Sequence, residues 1–296
     1  MHKNNLHSKC YDFETLIQCY PKLISYVFTN KYGSETIDFS NPDAVKTLNS
    51  ALLKTYYGIN YWEFSDDNLC PPIPGRAEYI HVLKELLESS NLNKSIKVLD
   101  IGTGATCIYP LLGTSIYNWH FIASEIDKNS FENVTRIVQK NNLQSRIELR
   151  LQPRSESILD GIIDTSEIIT ATMCNPPFYK DEEEAIQNTA RKLKGLGKTT
   201  NNSVRNFSGT SNELWYKGGE KAFLHNYIYQ SSKLKTNCYW YTSLVSKKEL
   251  IKDLKKSLKK LGATEIKLLD VSLGNKVSRV VAWTFLTKKE QQHWNY

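Results

Sequence analysis

From residue 96 onward, short apolar runs alternate with stretches of helical period. IKVLDIG (96–102), WHFIASEID (119–127), RIELRLQ (146–152) and EIITATMC (167–174) have strand length, and the last is β-branched and apolar. DKNSFENVTRIVQKNN (127–142) and GGEKAFLHNYIYQSSKL (218–234) carry apolar positions at helical spacing. CYWYTSLVS (238–246), EIKLLDVSL (265–273) and SRVVAWTFL (278–286) read as late strands. Near-continuous apolar runs suit strands buried on both faces, and their alternation with helices predicts a doubly wound, mostly parallel α/β sheet. The last two runs, a few residues apart around Gly274 and Asn275, predict an antiparallel C-terminal hairpin.

Residues 1–95 are patterned differently. TLIQCYPKLISYV (15–27) and AVKTLNSALLKTYYG (44–58) show helix-period apolar positions. Asn41 followed by Pro42 is a capping residue with a proline at the first helical position. In CPPIPGRAEYIHVLKELL (70–87) a proline cluster feeds a helix expected to start near Arg76. The chain thus divides into a helical N-terminal extension, 1–95, and an α/β domain, 96–296.

No apolar run approaches the ~20 residues that span a bilayer, and MHKNNLHSKCYDF is unlike a secretory leader, which predicts a cytoplasmic protein. The six cysteines (10, 19, 70, 107, 174 and 238) include no C-x-x-C pair, so reduced thiols are expected rather than a metal site or disulfide framework. The net charge of +7 is a mild basic bias, but its distribution is uneven. Between Glu184 and Glu213 there is no acid, while Arg191, Lys192, Lys194, Lys198 and Arg205 all fall there. That polar loop, about 180–212, has no helical period and is a candidate nucleic-acid contact through Lys192, Lys194, Lys198 and Arg205. A second block, KKELIKDLKKSLKK (247–260), sets seven lysines against two acids. Its leucines keep helical spacing, so these lysines read as the wet face of an amphipathic helix.

LDIGTGA (99–105) places Asp100 before Gly102, Thr103 and Gly104 at a strand end. Glycines there let the backbone turn tightly against a ligand. A dinucleotide fingerprint would continue with a third small residue, where Cys107 and then Ile108 stand instead. Glu125 ends the next strand, about 20 residues on, where a carboxylate meets the two hydroxyls of a ribose. Its neighbour Asp127 suits a helix cap. A glycine loop and a ribose acid without a pyrophosphate fingerprint point to S-adenosyl-L-methionine rather than a nicotinamide dinucleotide.

TMCNPPFYK (172–180) then places Asn175, Pro176, Pro177 and Phe178 at the end of the fourth strand. In an open α/β sheet that position faces the same crevice as the glycine loop. An amide oxygen and a proline carbonyl accept the two hydrogens of an amine whose lone pair is otherwise delocalised, and Phe178 can stack on a base. Adenine, cytosine and a glutamine carboxamide all present such a nitrogen.

The stretches CPPIPGRAEYIH, LDIGTGATCIYPLLG, TMCNPPFY and NFSGTSNELWYKGGE together resemble the ribosomal RNA large subunit methyltransferase F family. The likeness runs from YDF (11–13) to VAWTFL (281–286), and eukaryotic methyltransferase-like RNA adenine-N6 enzymes share the core. The resemblance implies a class I, Rossmann-like fold and methyl transfer to N6 of one adenine in 23S rRNA, free or in an assembling large subunit. It further implies that Arg76 reaches the cofactor carboxylate and that Thr106 contacts the cofactor. Tyr179 stands where that family more usually has histidine. The competing readings are a glutamine-N5 protein methyltransferase, which needs no basic loop, and a non-catalytic RNA-binding assembly factor. The second would tolerate loss of Asn175 or the glycines, and both are intact.

Overall fold

The computed structural model describes residues 1–181, 183–184, 214–273 and 276–294. The N-terminal extension holds α1 (Phe13–Cys19), a two-stranded hairpin of β1 (Val27–Thr29) and β2 (Glu35–Ile37), α2 (Pro42–Tyr57) and α3 (Ile73–Glu88). Asn41 caps α2, its side chain accepting from the amides of Asp43 and Ala44, with Pro42 opening the helix. Two expectations change here. Pro21 interrupts the helix read across 15–27, leaving a 3-10 turn over Pro21–Tyr26, because proline donates no hydrogen bond to the preceding turn. The helix expected near Arg76 begins at Ile73, since Pro74 falls within the first turn, where no donor is required. The β1–β2 hairpin has strands of three residues, too short for a period to register.

The α/β part begins with β3 (Lys97–Ile101), α4 (Ile108–Tyr117), β4 (His120–Glu125), α5 (Lys128–Lys140), β5 (Ile147–Leu151) and β6 (Ile169–Cys174). It continues with α6 (Gly219–Ser231), β7 (Cys238–Val245), α7 (Leu250–Lys260), β8 (Glu265–Leu273), β9 (Lys276–Thr284) and α8 (Lys288–Gln292). The seven strands lie in the order β5-β4-β3-β6-β7-β9-β8. Neighbours from β5 to β7 are parallel, and β9 runs antiparallel to both β7 and β8. The antiparallel C-terminal hairpin is therefore present, with β9 rather than β8 against the parallel part; its Gly274–Asn275 turn lies outside the described residues.

Alternate residues of each central strand face opposite helical layers. Val98 belongs to the apolar cluster that holds α2, α3, α4 and α5, and Leu99 to the one that holds α6 and α7. The first cluster runs without a break from Phe13 to Leu286, so the extension shares the core of the sheet. Tyr79 of α3 reaches across that core to bond Thr242 of β7 at 2.7 Å. On α7, Leu250, Ile251, Leu254 and Leu258 are buried while Lys252, Lys256, Lys259 and Lys260 are exposed, the wet face expected from the spacing. Among the described residues no helix is long and apolar enough to cross a membrane, and no cluster of His, Cys, Asp and Glu could hold a metal ion. Lys192, Lys194, Lys198 and Arg205, the candidate nucleic-acid contacts, lie outside the described residues.

Candidate active site

β3 is the switch point of the sheet: the chain leaves it toward β4 and later returns on its other side as β6. Diverging connections leave a crevice beyond the carboxyl ends of β3 and β6. A cavity of about 630 Å³ opens there, lined by Arg76, Gly102, Thr103, Gly104, Thr106, Glu125, Asn175 and Pro177 among others. Asp100 is buried just beneath, 1% exposed, at the end of β3.

The wall below β3 and β4 is built by the backbone. Gly102 and Gly104 have φ of +69° and +65°, values that a Cβ would strain, and Cys107 holds +52° where the chain enters α4. The Glu125 carboxylate lies across this turn. Its Oε2 accepts the Gly104 N–H at 2.8 Å, and Oε1 accepts the amides of Ile126 and Asp127 at 2.8 and 3.0 Å. Asp127 caps α5 through Ser130, as its spacing suggests. The extension fastens the same turn from behind: the Trp62 indole donates to the Thr106 carbonyl at 3.0 Å, and Asn133 bonds the Ala105 and Glu63 carbonyls.

Arg76 enters from α3. Its guanidinium donates to the Tyr109 hydroxyl at 2.8 Å and lies 5.4 Å from that ring's centroid, while Nε is buried without a partner. Neither Asp100 oxygen is hydrogen-bonded, nor is the Thr103 hydroxyl. Burial raises the Asp100 carboxyl to about 7, the Glu125 charge adds to the rise, and the nearby Thr103 hydroxyl and Arg76 oppose it. A buried acid without donors beside an incompletely used guanidinium is a costly arrangement in isolation and a receptive one for a zwitterion.

The wall beyond β6 carries Asn175, half-buried, whose side-chain amide bonds to no described residue. An asparagine that shapes a turn bonds its own backbone; this one does not. Pro176 is buried and Phe178 is 37% exposed. The platform is secured by its backbone, since the Phe178 and Tyr179 amides both donate to the Leu214 carbonyl at 3.1 Å and Tyr216 donates back to Tyr179.

The structure thus gathers Arg76, Gly102, Thr103, Gly104, Thr106, Glu125, Asn175 and Pro177 at one crevice, with Asp100 buried next to Ile101 and Gly102 of its lining and Pro176 and Phe178 beside Asn175 and Pro177. It also brings in Tyr109, Gln152, Ser157 and Trp215, which the sequence reading gave no role. Tyr109 and Trp215 lay inside quoted motifs, but nothing local marks a cavity-facing ring.

The RNA methyltransferase family profile matches residues 1–287. The chain belongs to this family. Among its relatives, the ribosomal RNA large subunit methyltransferase F of Flavobacterium johnsoniae is 48% identical over 305 residues, covering all of this chain and 96% of the relative. The human METTL16 catalytic domain in complex with a MAT2A 3'UTR hairpin superposes with a TM-score of 0.80 at 30% identity, covering 97% of this chain and 98% of the other. The human METTL16 N-terminal domain in complex with SAH gives a TM-score of 0.77 at 29% identity over 97% and 99%. Membership in an RNA methyltransferase family favours RNA over a glutamine side chain as the acceptor, and the sheet order is that of a class I methyltransferase.

Proposed function

We propose that the chain transfers a methyl group from S-adenosyl-L-methionine to the N6 amine of one adenine in 23S rRNA, in free RNA or in an assembling large subunit in the cytoplasm. The observation that carries this reading is the Asn175 amide. It lines the same cavity as Glu125 and the glycine turn and bonds to no described residue.

The residues fit the cofactor. The unpartnered Asp100 oxygens and Arg76 Nε complement the ammonium and carboxylate of its methionyl part. Gly102, Thr103, Gly104 and Thr106 form its close-fitting wall, and Glu125 accepts from ribose hydroxyls. When bound, S-adenosylmethionine supplies an electrophilic sulfonium methyl group. Asn175 Oδ1 and the Pro176 carbonyl accept the two N6 hydrogens and draw the nitrogen lone pair out of conjugation toward that methyl. Pro176 and Pro177 keep these acceptors rigid, so positioning and electrostatics supply most of the rate. Phe178, at the rim, stacks on the extruded base. Residues 1–95 add Arg76 to the cofactor site and contribute to RNA binding. Lys192, Lys194, Lys198 and Arg205 contact phosphates, a role resting on their charge and on the absence of acids around them.

Nucleoside mass spectrometry of rRNA from a strain lacking the gene tests the reading. The 23S fraction should lose one N6-methyladenosine and regain it on incubation with the purified chain and S-adenosylmethionine. Unmethylated RNA after that incubation would reject the proposal.

A further inference from the structure

Among the described residues, four side chains around the crevice carry buried polar atoms without hydrogen-bond partners: Arg76, Asp100, Thr103 and Trp215. The first three sit on the cofactor side proposed above. Trp215 does not. Its backbone bridges Tyr179, the residue after Phe178, and the preceding Leu214 carbonyl takes both the Phe178 and Tyr179 amides. The ring is therefore attached to the Asn175–Phe178 platform, and it lines the same cavity as Asn175.

An indole N–H donates and cannot accept. Buried donors are almost always paired, so an orphan on a residue that lines a binding cavity suggests an acceptor that arrives with a ligand. We infer that Trp215 is a specificity-determining residue whose Nε1–H bonds a ring nitrogen of the target adenine, N1 or N7, the two that flank the exocyclic amine. The inference rests on the adenine-N6 reading. Asn175 and Pro176 then read the amine as a donor, and Trp215 reads the adjacent ring acceptor. Guanine has a carbonyl where adenine has the amine, so it would set an acceptor against Asn175 Oδ1. A glutamine carboxamide has no ring nitrogen for Trp215 at all.

The test uses the full chain and a synthetic oligoribonucleotide bearing the mapped target adenine, or its 1-deaza or 7-deaza analogue. Trp215→Phe keeps an aromatic ring and removes only the donor. It should melt like the wild type and bind S-adenosylmethionine unchanged, while losing about fivefold to fiftyfold in kcat/KM, the range for one orphaned hydrogen bond. One of the two analogues should produce the same loss in the wild type and no further loss in Trp215→Phe. Full activity of the variant, weakened cofactor affinity, or losses that multiply for both analogues would overturn the inference. Failure of the wild type to methylate the adenine oligonucleotide would instead reject the function beneath it.

Discussion

Glu125 Oε2 accepts the Gly104 N–H at 2.8 Å, joining the end of β4 to the turn that follows β3. One carboxylate thereby holds the glycine turn in shape and presents its charge to the cavity. Glu125→Ala should weaken S-adenosylmethionine binding by ~1–3 kcal/mol, the cost of lost charge-assisted hydrogen bonds. Glu125→Gln should lose less, because an amide oxygen still accepts from Gly104. Calorimetric affinities equal to wild type in both variants would remove Glu125 from the site.

Asp100 should give the site a pH dependence. Burial lifts its carboxyl from 3.8 to about 7. The folded protein therefore holds a proton that the unfolded chain has released between about pH 4 and 7, and this group's contribution to stability falls as pH rises through that window. A cationic ammonium needs the ionised form, so cofactor affinity should move oppositely, rising up to about tenfold per pH unit until about pH 7. Asp100→Asn should flatten the affinity profile and reduce affinity at pH 8. Titration calorimetry from pH 5.5 to 8.5 decides it; an affinity independent of pH in the wild type would contradict the assignment.

Gly113 explains the last residue of LDIGTGATCIYPLLG. A Cβ there would lie 2.4 Å from Cζ and 2.5 Å from Cε2 of Phe121, on the strand beneath α4. The ring is buried, 1% exposed. Gly113→Ala should destabilise the fold by ~1–3 kcal/mol through overpacking, despite alanine's better helix propensity. Thermal melts that leave the midpoint unchanged would show that the helix can shift away from β4.

What the sequence disclosed follows from the range of each interaction. EIKLLDVSL coincides with β8 residue for residue, and Asp127 caps α5, because apolar runs and caps are local. Gly102, Gly104, Glu125 and Asn175 could be assigned to one crevice because strand ends in a parallel sheet share an edge. Distant pairs left no local trace. The Arg76–Tyr109 hydrogen bond, the Gly113–Phe121 approach and the unpartnered Trp215 donor depend on how helices and loops settle on the sheet. The β1–β2 hairpin was lost for a different reason, since three residues cannot establish a period.

Substitutions at Asn175 and Phe178 should separate chemistry from capture. The Asn175 side chain supports no described part of the turn, so Asn175→Ala should retain the wild-type melting temperature. Its single-turnover methylation should fall by at least ~100-fold, because the lost acceptor acts mainly as the amine changes geometry. Phe178 is 37% exposed and held through its backbone to Leu214, so truncating its side chain should also leave the fold intact. Phe178→Ala should instead raise the RNA concentration needed for half-maximal rate, by ~1–3 kcal/mol for one stacked base, with a smaller change in the saturated rate. Both variants should bind S-adenosylmethionine like the wild type, since neither side chain belongs to the glycine-turn wall. The two profiles are distinct, and melting and single-turnover methylation on the same samples tell them apart. If Asn175→Ala loses activity only in proportion to its unfolded fraction, the asparagine is a turn residue and the amine must be oriented by another group.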